Sequence, residues 1–273
     1  MIRFECDYLE GAHPRILEAL TTTNFEQTPG YGTDTYCEKA RSIIKEKCNS
    51  QESDVHFLVG GTQTNTTVIA SILRPHQGVL CASTGHINVH ETGAIEATGH
   101  KVMSIPSDDG KITALDIQNA YESHFNDDTA EHMVQPGMVY ISHPTENGTL
   151  YTKKELEAIS YVCHKLSLPL FLDGARLGYG LTADGNDVTL EDIARLCDVF
   201  YIGGTKVGAL FGEAVVITNS SLKKDFRYFI KQNGGMLAKG RLLGIQFTTL
   251  LENNLYFEKE ILEKPVPFKY NCQ

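Results

Sequence analysis

Apolar strands alternate with helices over the second half of this 273-residue chain, and this alternation limits the folds open to it. Residues 138–142, 168–172 and 199–202 form nearly uniform apolar runs, separated by the helical patterns of residues 152–166 and 190–196. Strands that are apolar on both faces are typical of a parallel sheet covered by helices on both sides. We therefore predict an α/β fold with a mainly parallel sheet.

Four further strands complete the predicted sheet. They are residues 54–59, 78–82, 101–105 and 213–218. Strand 213–218 follows strand 199–202 without room for a crossover helix, so we expect it to run antiparallel, at or near that edge of the sheet. We also expect a helix over residues 87–98, after strand 78–82.

A lysine follows strand 199–202 in almost entirely apolar company. Two glycines and a threonine precede Lys206, and the five residues after it are Val, Gly, Ala, Leu and Phe. Such a setting disfavours the charged amine, so we expect the pKa of Lys206 to be lowered. An uncharged amine can form a Schiff base with a carbonyl compound or with pyridoxal phosphate. By itself the segment fits a surface lysine on a glycine loop equally well.

Several polar groups follow strands at what should be one edge of the sheet. Thr62 lies in a glycine- and hydroxyl-rich loop that opens a helix, an arrangement that suits phosphate binding by helix N–H groups. His86, the run from Asp173 to Arg176, and Lys206 follow three other strands. Ligand sites in such sheets lie beyond the carboxyl ends of the strands, so we expect these groups to meet. The alternatives are helix caps, a solvated histidine and a surface ion pair.

Charge and composition narrow the class of partner. The chain has 24 basic and 34 acidic residues, a net charge of −10, which argues against nucleic acid or an anionic membrane as the main partner. The polar N-terminus and the lack of a long apolar run predict neither a signal peptide nor a membrane span. Seven cysteines without a Cys-x-x-Cys motif indicate reduced thiols in a cytoplasmic protein, and no metal site is predicted.

Six segments together resemble a known group of enzymes. They are residues 7–14, 30–34, 60–65, 86–94, 173–176 and 203–206. The pair Asp-Gly-Ala-Arg and Gly-Gly-Thr-Lys is the most specific of these signals. The segments are similar to the fold-type-I pyridoxal-phosphate enzymes, and within them to the threonine aldolase / β-eliminating lyase group. The resemblance implies a seven-stranded-type sheet like that of pyridoxal-phosphate-dependent transferases.

The resemblance also implies roles for individual residues around the cofactor. Lys206 would hold pyridoxal 5′-phosphate, Asp173 would pair with its pyridine nitrogen, and His86 would stack over its ring. These three are the predicted catalytic residues. Gly61 and Thr62 would bind the phosphate through helix N–H groups.

Four residues are implied around the substrate. Arg176 would lie near both cofactor and substrate, and Asp7 and His143 would line the substrate site. Tyr31 resembles a residue that the family contributes across a dimer interface. We therefore expect a homodimer or homotetramer with active sites at the dimer interface and a small amino acid as substrate.

The implied reaction is cleavage of L-threonine or L-allo-threonine into glycine and an aldehyde. Breaking the Cα–Cβ bond requires removal of the β-hydroxyl proton, and the candidates for this base are His86, His90, His143 and a bound water. Two alternatives are open: another fold-type-I activity such as β-elimination from an amino acid, and a non-catalytic, truncated homologue.

The chain departs from the family pattern toward its C-terminus. We expect residues 1–250 to form the large cofactor-binding domain, with an N-terminal arm over residues 1–30. Residues 251–273 would be the start or the remnant of the small C-terminal domain, which the sequence predicts to be truncated. Leu237 stands where relatives place an arginine that reaches the neighbouring subunit's phosphate, with Lys239 and Arg241 nearby.

Overall fold

Seven strands form one sheet in the computed structural model, which describes residues 5–252 and 254–257. The strands are β1 (Asp54–Leu58), β2 (Gln77–Ala82), β3 (Lys101–Ile105), β4 (Gln135–Ser142), β5 (Leu170–Asp173), β6 (Val199–Gly203) and β7 (Glu213–Ile217). Their order across the sheet is β1-β7-β6-β5-β4-β2-β3. All seven predicted strands are confirmed, and the longest difference at an end is three residues, at the start of β4.

Strand direction places one set of strand ends at a single edge. Strands β2 to β6 pair in parallel, whereas β7 pairs antiparallel with both β6 and β1. The expected antiparallel strand is thus confirmed, one place in from the edge. Because β7 reverses direction between its neighbours, β1 points the same way as β2 to β6. The carboxyl ends of these six strands therefore face one side.

Helices surround this sheet. They are α1 (Pro14–Thr22), α2 (Thr35–Lys47), α3 (Gly61–Ile72), α4 (His86–Val89), α5 (Ala114–Phe125), α6 (Lys153–Leu166), α7 (Leu177–Thr182), α8 (Leu190–Leu196), α9 (Phe226–Gln232) and α10 (Arg241–Glu252). None of these described helices is long and apolar enough to cross a membrane.

Two apolar clusters cover the two faces of the sheet, as expected for strands buried on both sides. Successive residues of β5 alternate between them: Leu170 and Leu172 pack in the first cluster and Phe171 in the second. The first cluster draws on α2, α6, α8 and α10, and the second on α3 and α9. Burial of apolar side chains on both faces fixes the sheet that carries the polar edge.

The prediction of a helix over residues 87–98 is wrong. Helix α4 ends at Val89, and only a short 3-10 turn, Glu96–Thr98, follows. Thr92 and Gly93 have φ angles of 55° and 70°, which a right-handed helix cannot contain. The break turns Glu91 into the protein interior, where it is buried.

The predicted domain boundary at residue 250 falls where the described part of the chain comes to its end. Helix α10 packs against α2, and the 3-10 turn Leu255–Phe257 packs against α7 and α10, where the Tyr256 hydroxyl donates to the Gly203 carbonyl at 2.8 Å. Most of residues 251–273, the predicted remnant of a small domain, lies outside the described residues, so that assignment stays a prediction.

Candidate active site

Lys206 lies in the loop between β6 and β7, half-buried beside the carboxyl edge of the sheet. Burial, and next the charge of Arg176, lower its pKa, while the charges of Asp7, Asp173 and Glu213 act in the opposite direction. The predicted lowering is confirmed. The Lys206 carbonyl accepts a hydrogen bond from the Tyr179 hydroxyl at 2.8 Å, which anchors the backbone below the amine.

Glu213, the first residue of β7, ties this loop together. Its Oε1 accepts the Thr205 hydroxyl at 2.8 Å and its Oε2 accepts the Gly204 N–H at 3.3 Å. The Gly212 N–H in turn donates to the Thr205 hydroxyl at 3.0 Å. Glu213 is 3% exposed, and burial raises its pKa to about 8. The two residues that precede Lys206 are therefore held by a buried carboxyl.

Asp173 ends β5, the central strand of the edge, and its carboxylate is buried. Oδ2 accepts the Tyr140 hydroxyl at 2.6 Å and the Asn65 amide at 3.2 Å. Oδ1 accepts the Tyr201 hydroxyl at 2.5 Å and the Ala175 N–H at 3.0 Å. Four donors, from α3, β4, β6 and the loop after β5, thus converge on one carboxylate.

A glycine follows Asp173 because the chain there presses against β6. A Cβ on Gly174 would lie 1.9 Å from the Tyr201 carbonyl oxygen, closer than any side chain allows. The Gly203 N–H donates to the Gly174 carbonyl at 2.9 Å. The glycine in Asp-Gly-Ala-Arg therefore brings the Asp173 and Lys206 segments together.

His86 is the first residue of α4, at the end of β2. Its Nδ1 lies 2.8 Å from Oε1 of Glu91, and its backbone N–H donates to Oε1 of Glu146 at 2.8 Å. The hydrogen bond to Glu91 is the main cause that raises the pKa of His86. Asn65 also donates to Glu91, at 2.7 Å, and so links the His86 pair to Asp173.

Arg176 forms a two-point ion pair with Asp7 of the N-terminal arm. Its Nε and one terminal nitrogen donate to the two carboxylate oxygens, the latter at 3.2 Å. The next residue of the arm, Tyr8, places its ring 6.0 Å from the Lys206 amine. The arm thus lies over the Arg176 and Lys206 side of the site.

Gly61 and Thr62 open α3, a helix of 12 residues directly after β1. The N-cap residue Gly60 provides no side-chain hydrogen bond to the first turn. A Cβ on Gly61 would lie 3.3 Å from the Tyr201 hydroxyl. Glycine therefore keeps this positive helix end open to an anion without crowding the hydroxyl that holds Asp173.

Two predicted substrate residues make no side-chain hydrogen bond to the others, although the backbone N–H of His143 donates to the Asp173 carbonyl at 2.9 Å. Tyr31 is 47% exposed beside α9, where its ring lies 5.0 Å from the Lys231 amine. His143 has no exposed surface, its ring nitrogens have no partner among the described residues, and burial lowers its pKa to about 4. Arg241, considered above as a nearby counterpart of the family's arginine, donates to backbone carbonyls of the segment after α1, including that of Thr23 at 2.7 Å. The roles of Tyr31 and His143 stay predictions.

The residues that do meet fit pyridoxal phosphate. They offer an amine of lowered pKa, a buried carboxylate and an uncapped helix N-terminus, which suit an aldehyde, a pyridine nitrogen and a phosphate respectively. Three buried polar atoms of the same region, Asn65 Oδ1, Thr84 Oγ1 and Glu91 Oε2, have no hydrogen-bond partner among the described residues. A polar ligand would satisfy such atoms.

Comparison with known proteins shows which family the chain belongs to. The sequence profile of the beta-eliminating lyases, described as "Beta-eliminating lyase", matches residues 7–260. The chain belongs to the beta-eliminating lyase family. A low specificity L-threonine aldolase of Pseudomonas sp. (strain NCIMB 10558) is 30% identical over 256 residues, which are 93% of this chain and 72% of that protein.

Solved structures agree with the sheet described above. A threonine aldolase of Leishmania major is 51% identical with a TM-score of 0.90, covering 94% of this chain and 74% of that one. A C–S lyase of Staphylococcus hominis, solved with pyridoxal phosphate bound, is 14% identical with a TM-score of 0.65, covering 90% and 63%. The second likeness shows the fold alone. The expected fold type I is thus confirmed.

Sequence reasoning missed five residues of this beta-eliminating lyase. They are Asn65, Glu91, Tyr140, Tyr201 and Glu213. Each lies inside a strand, inside a helix or in the segment mistaken for a helix, where the pattern favours a packing role. The signal that could have found them is the polar atom itself, since a buried hydroxyl, amide or carboxyl needs a partner.

Proposed function

We propose that this chain binds pyridoxal phosphate and cleaves β-hydroxy-amino acids of the L-threonine and L-allo-threonine type into glycine and an aldehyde. The observation that carries the proposal is the convergence of Lys206, Asp173 and His86 at one edge of the sheet. The names of the Pseudomonas and Leishmania relatives, both threonine aldolases, support the substrate class.

Each group of residues at the carboxyl edge of the sheet has one role in binding the cofactor. Lys206 would hold it through its amine, Asp173 would pair with its ring nitrogen, and the N–H groups of Gly61 and Thr62 would bind its phosphate. When bound, pyridoxal phosphate withdraws electrons from the substrate's α-carbon, which makes the Cα–Cβ bond breakable. The hydrogen bonds of Glu213 keep the Lys206 loop in one arrangement for this attachment.

His86 is the base that takes the β-hydroxyl proton in this proposal. The Glu91 carboxylate accepts from Nδ1, so the neutral ring carries its proton there and Nε2 is left as an acceptor. His143 is the weaker candidate because it has no exposed surface, and His90 lies one helical turn away with its ring centroid 5.6 Å from that of His86. Glu91 also stabilises the protonated ring once the transfer has occurred.

Arg176 binds the substrate's carboxylate, and Asp7 holds the guanidinium in the orientation for it. A planar guanidinium gains directional specificity when one edge is fixed by a carboxylate. Burial lowers the pKa of Lys206 most, the charge of Arg176 adds to this, and the charge of Asp7 acts against it.

We also propose the homo-oligomer that the resemblance implies. Exposed aromatic side chains on the N-terminal part of the chain, Phe25 at 95% and Tyr31 at 47%, support a subunit contact there. In a dimer, Tyr31 would serve the partner's site. Light scattering on the purified protein tests this, and a monomer that is fully active would contradict it.

Product analysis tests the function. The protein with added pyridoxal phosphate is incubated separately with L-threonine, L-allo-threonine, L-serine and L-cysteine, and glycine, aldehyde, 2-oxo acid and ammonia are measured. We expect equal amounts of glycine and acetaldehyde from the two threonine isomers, and neither from the Lys206→Ala variant. Release of 2-oxo acid and ammonia without glycine would establish β-elimination instead, and cofactor binding without any product a non-catalytic homologue.

A further inference from the structure

Two buried tyrosines hold the Asp173 carboxylate from opposite sides. Tyr140 lies in β4 and Tyr201 in β6, the two strands that flank β5. The Tyr140 hydroxyl donates to Oδ2 at 2.6 Å and the Tyr201 hydroxyl to Oδ1 at 2.5 Å. Each tyrosine is 1% exposed. Because each hydroxyl serves a different oxygen, the pair resists rotation of the carboxylate about its Cβ–Cγ bond.

Two further donors contact the Asp173 carboxylate. The Asn65 amide adds a second bond to Oδ2 and the Ala175 N–H adds a second bond to Oδ1. The Asn65 contact is the longest of the four at 3.2 Å, and the same amide nitrogen also donates to Glu91 at 2.7 Å, so Oδ2 is the oxygen with more capacity left for the ring nitrogen. The two hydroxyls can be removed by substitution to phenylalanine, which keeps the ring and adds no charge.

Both tyrosines act as donors throughout the working pH range. Burial, followed by the negative charge of Asp173, raises the pKa of Tyr140 and of Tyr201 well above the usual value. Neither hydroxyl therefore ionises at a pH where the enzyme would work. The bonds to Asp173 are consequently permanent features of the folded protein.

Packing alone does not require hydroxyls at these positions. The ring of Phe171 lies between the two, with centroids 5.6 Å from Tyr140 and 6.2 Å from Tyr201. All three belong to the same apolar cluster on one face of the sheet. A phenylalanine at position 140 or 201 would fill the same volume, so the phenol oxygens serve polar partners and not the core. Both donate to Asp173, and that of Tyr140 also accepts the Ser142 hydroxyl at 3.3 Å.

We propose that Tyr140 and Tyr201 are positioning residues that fix the Asp173 carboxylate toward the ring nitrogen of pyridoxal phosphate. They touch Asp173 and act through it. The inference rests on the proposed function, since it gives Asp173 the ring nitrogen as its partner. It adds that the strength of that pairing is set by two hydroxyls in the neighbouring strands.

The test compares Tyr140→Phe and Tyr201→Phe with Tyr151→Phe as the matched control. Tyr151 is equally buried, but its hydroxyl accepts the Ile112 N–H at 2.9 Å and does not touch Asp173. The dissociation constant for pyridoxal phosphate, the visible absorbance band of the bound cofactor and the thermal unfolding midpoint without cofactor are measured for each. We expect a dissociation constant about tenfold higher and a displaced band for Tyr140→Phe and Tyr201→Phe, the loss of one hydrogen bond to a charged group.

The control separates positioning from a structural role. All three variants lose a buried hydrogen bond, so we expect their unfolding midpoints to fall by similar amounts, while Tyr151→Phe keeps the wild-type band and affinity. In the Asp173→Asn background, adding Tyr201→Phe should leave the affinity unchanged, because the hydroxyl acts only through the carboxylate. A further loss of affinity in that background would overturn the inference.

Two other outcomes are distinguishable. A wild-type band and affinity in both tyrosine variants would overturn the inference and leave the proposed function standing. A wild-type protein that shows no band with added pyridoxal phosphate would overturn the proposed function, and this inference with it. If one tyrosine variant does not fold, the other still decides, since each hydroxyl serves one oxygen.

Discussion

Replacing Glu213 with glutamine should stabilise the protein at high pH and destabilise it at low pH. Burial raises the pKa of Glu213 from 4.5 to about 8. Below pH 4.5 the side chain is protonated in both the folded and the unfolded chain. Between 4.5 and 8 the unfolded chain releases the proton while the folded one keeps it, so stability falls as the pH rises. Above about pH 8 the loss is complete.

The size of the effect follows from the same pKa. At 1.36 kcal/mol per pH unit, the interval from 4.5 to about 8 corresponds to roughly 5 kcal/mol of folding free energy. Glutamine does not titrate and avoids this loss, but its amide nitrogen cannot accept the Gly204 N–H. That mismatch costs about 1–3 kcal/mol at every pH. The variant should thus be less stable than wild type near pH 5 and more stable near pH 9.

Urea unfolding of the cofactor-free protein at pH 5, 7 and 9, followed by circular dichroism, measures this crossover. Glu122→Gln is the matched control, because it makes the same substitution at an exposed position of α5, outside the Lys206 loop. A difference between Glu213→Gln and wild type that stays constant from pH 5 to pH 9 would refute the reasoning.

Three further predictions concern the chemistry. Lys206→Ala should retain no pyridoxal phosphate after borohydride reduction and denaturation, and cofactor that stays covalently bound would identify a different lysine. Asp173→Asn should keep the fold but lose at least ~10²-fold in turnover, the scale of one strong electrostatic contact, and near-normal turnover would remove Asp173 from the mechanism. Activity should rise with pH through the raised pKa of His86, because the base must be neutral. Glu91→Gln should move this rise to lower pH, since the hydrogen bond to Glu91 is the main cause of the raised pKa. Identical pH profiles for the variant and the wild type would exclude His86 as the base.

The sheet could be predicted almost completely because burial on both faces leaves a mark that sequence alone carries. Runs such as residues 168–172 are apolar throughout, and the short interval before residues 213–218 permits only a reversal of direction. The helix expected over 87–98 failed because its end depends on backbone conformation at Thr92, a residue type that rarely adopts a positive φ. The one signal in that segment is Gly93, and an isolated glycine in a helical pattern does not by itself end a helix.

Only the site residues that directly follow strands could be predicted from the sequence. Lys206, Asp173 and His86 follow strands, and the rule that ligands bind beyond the carboxyl ends of parallel strands brings them together. Glu91 and Glu213 were not predicted as site residues, because their segments were interpreted only as a helix and a strand from their hydrophobic pattern. Their burial is a property of the folded chain, and only the structure shows that each carboxyl meets a partner from a distant segment.

Tyr140 and Tyr201 show how some of the buried site residues could be predicted from the sequence. In a parallel pair of strands, Ser142 lies opposite Asp173, so Tyr140 starts two residues further back, roughly 6.6 Å along the strand. A tyrosine that leans along its strand spans about this distance and delivers its hydroxyl at the level of the carboxylate. On the other side, Phe200 lies opposite Leu172, which puts Tyr201 beside Asp173 itself. A tyrosine in an otherwise apolar strand, within two residues of the level at which the neighbouring strand ends in aspartate, therefore predicts a hydrogen bond to that aspartate.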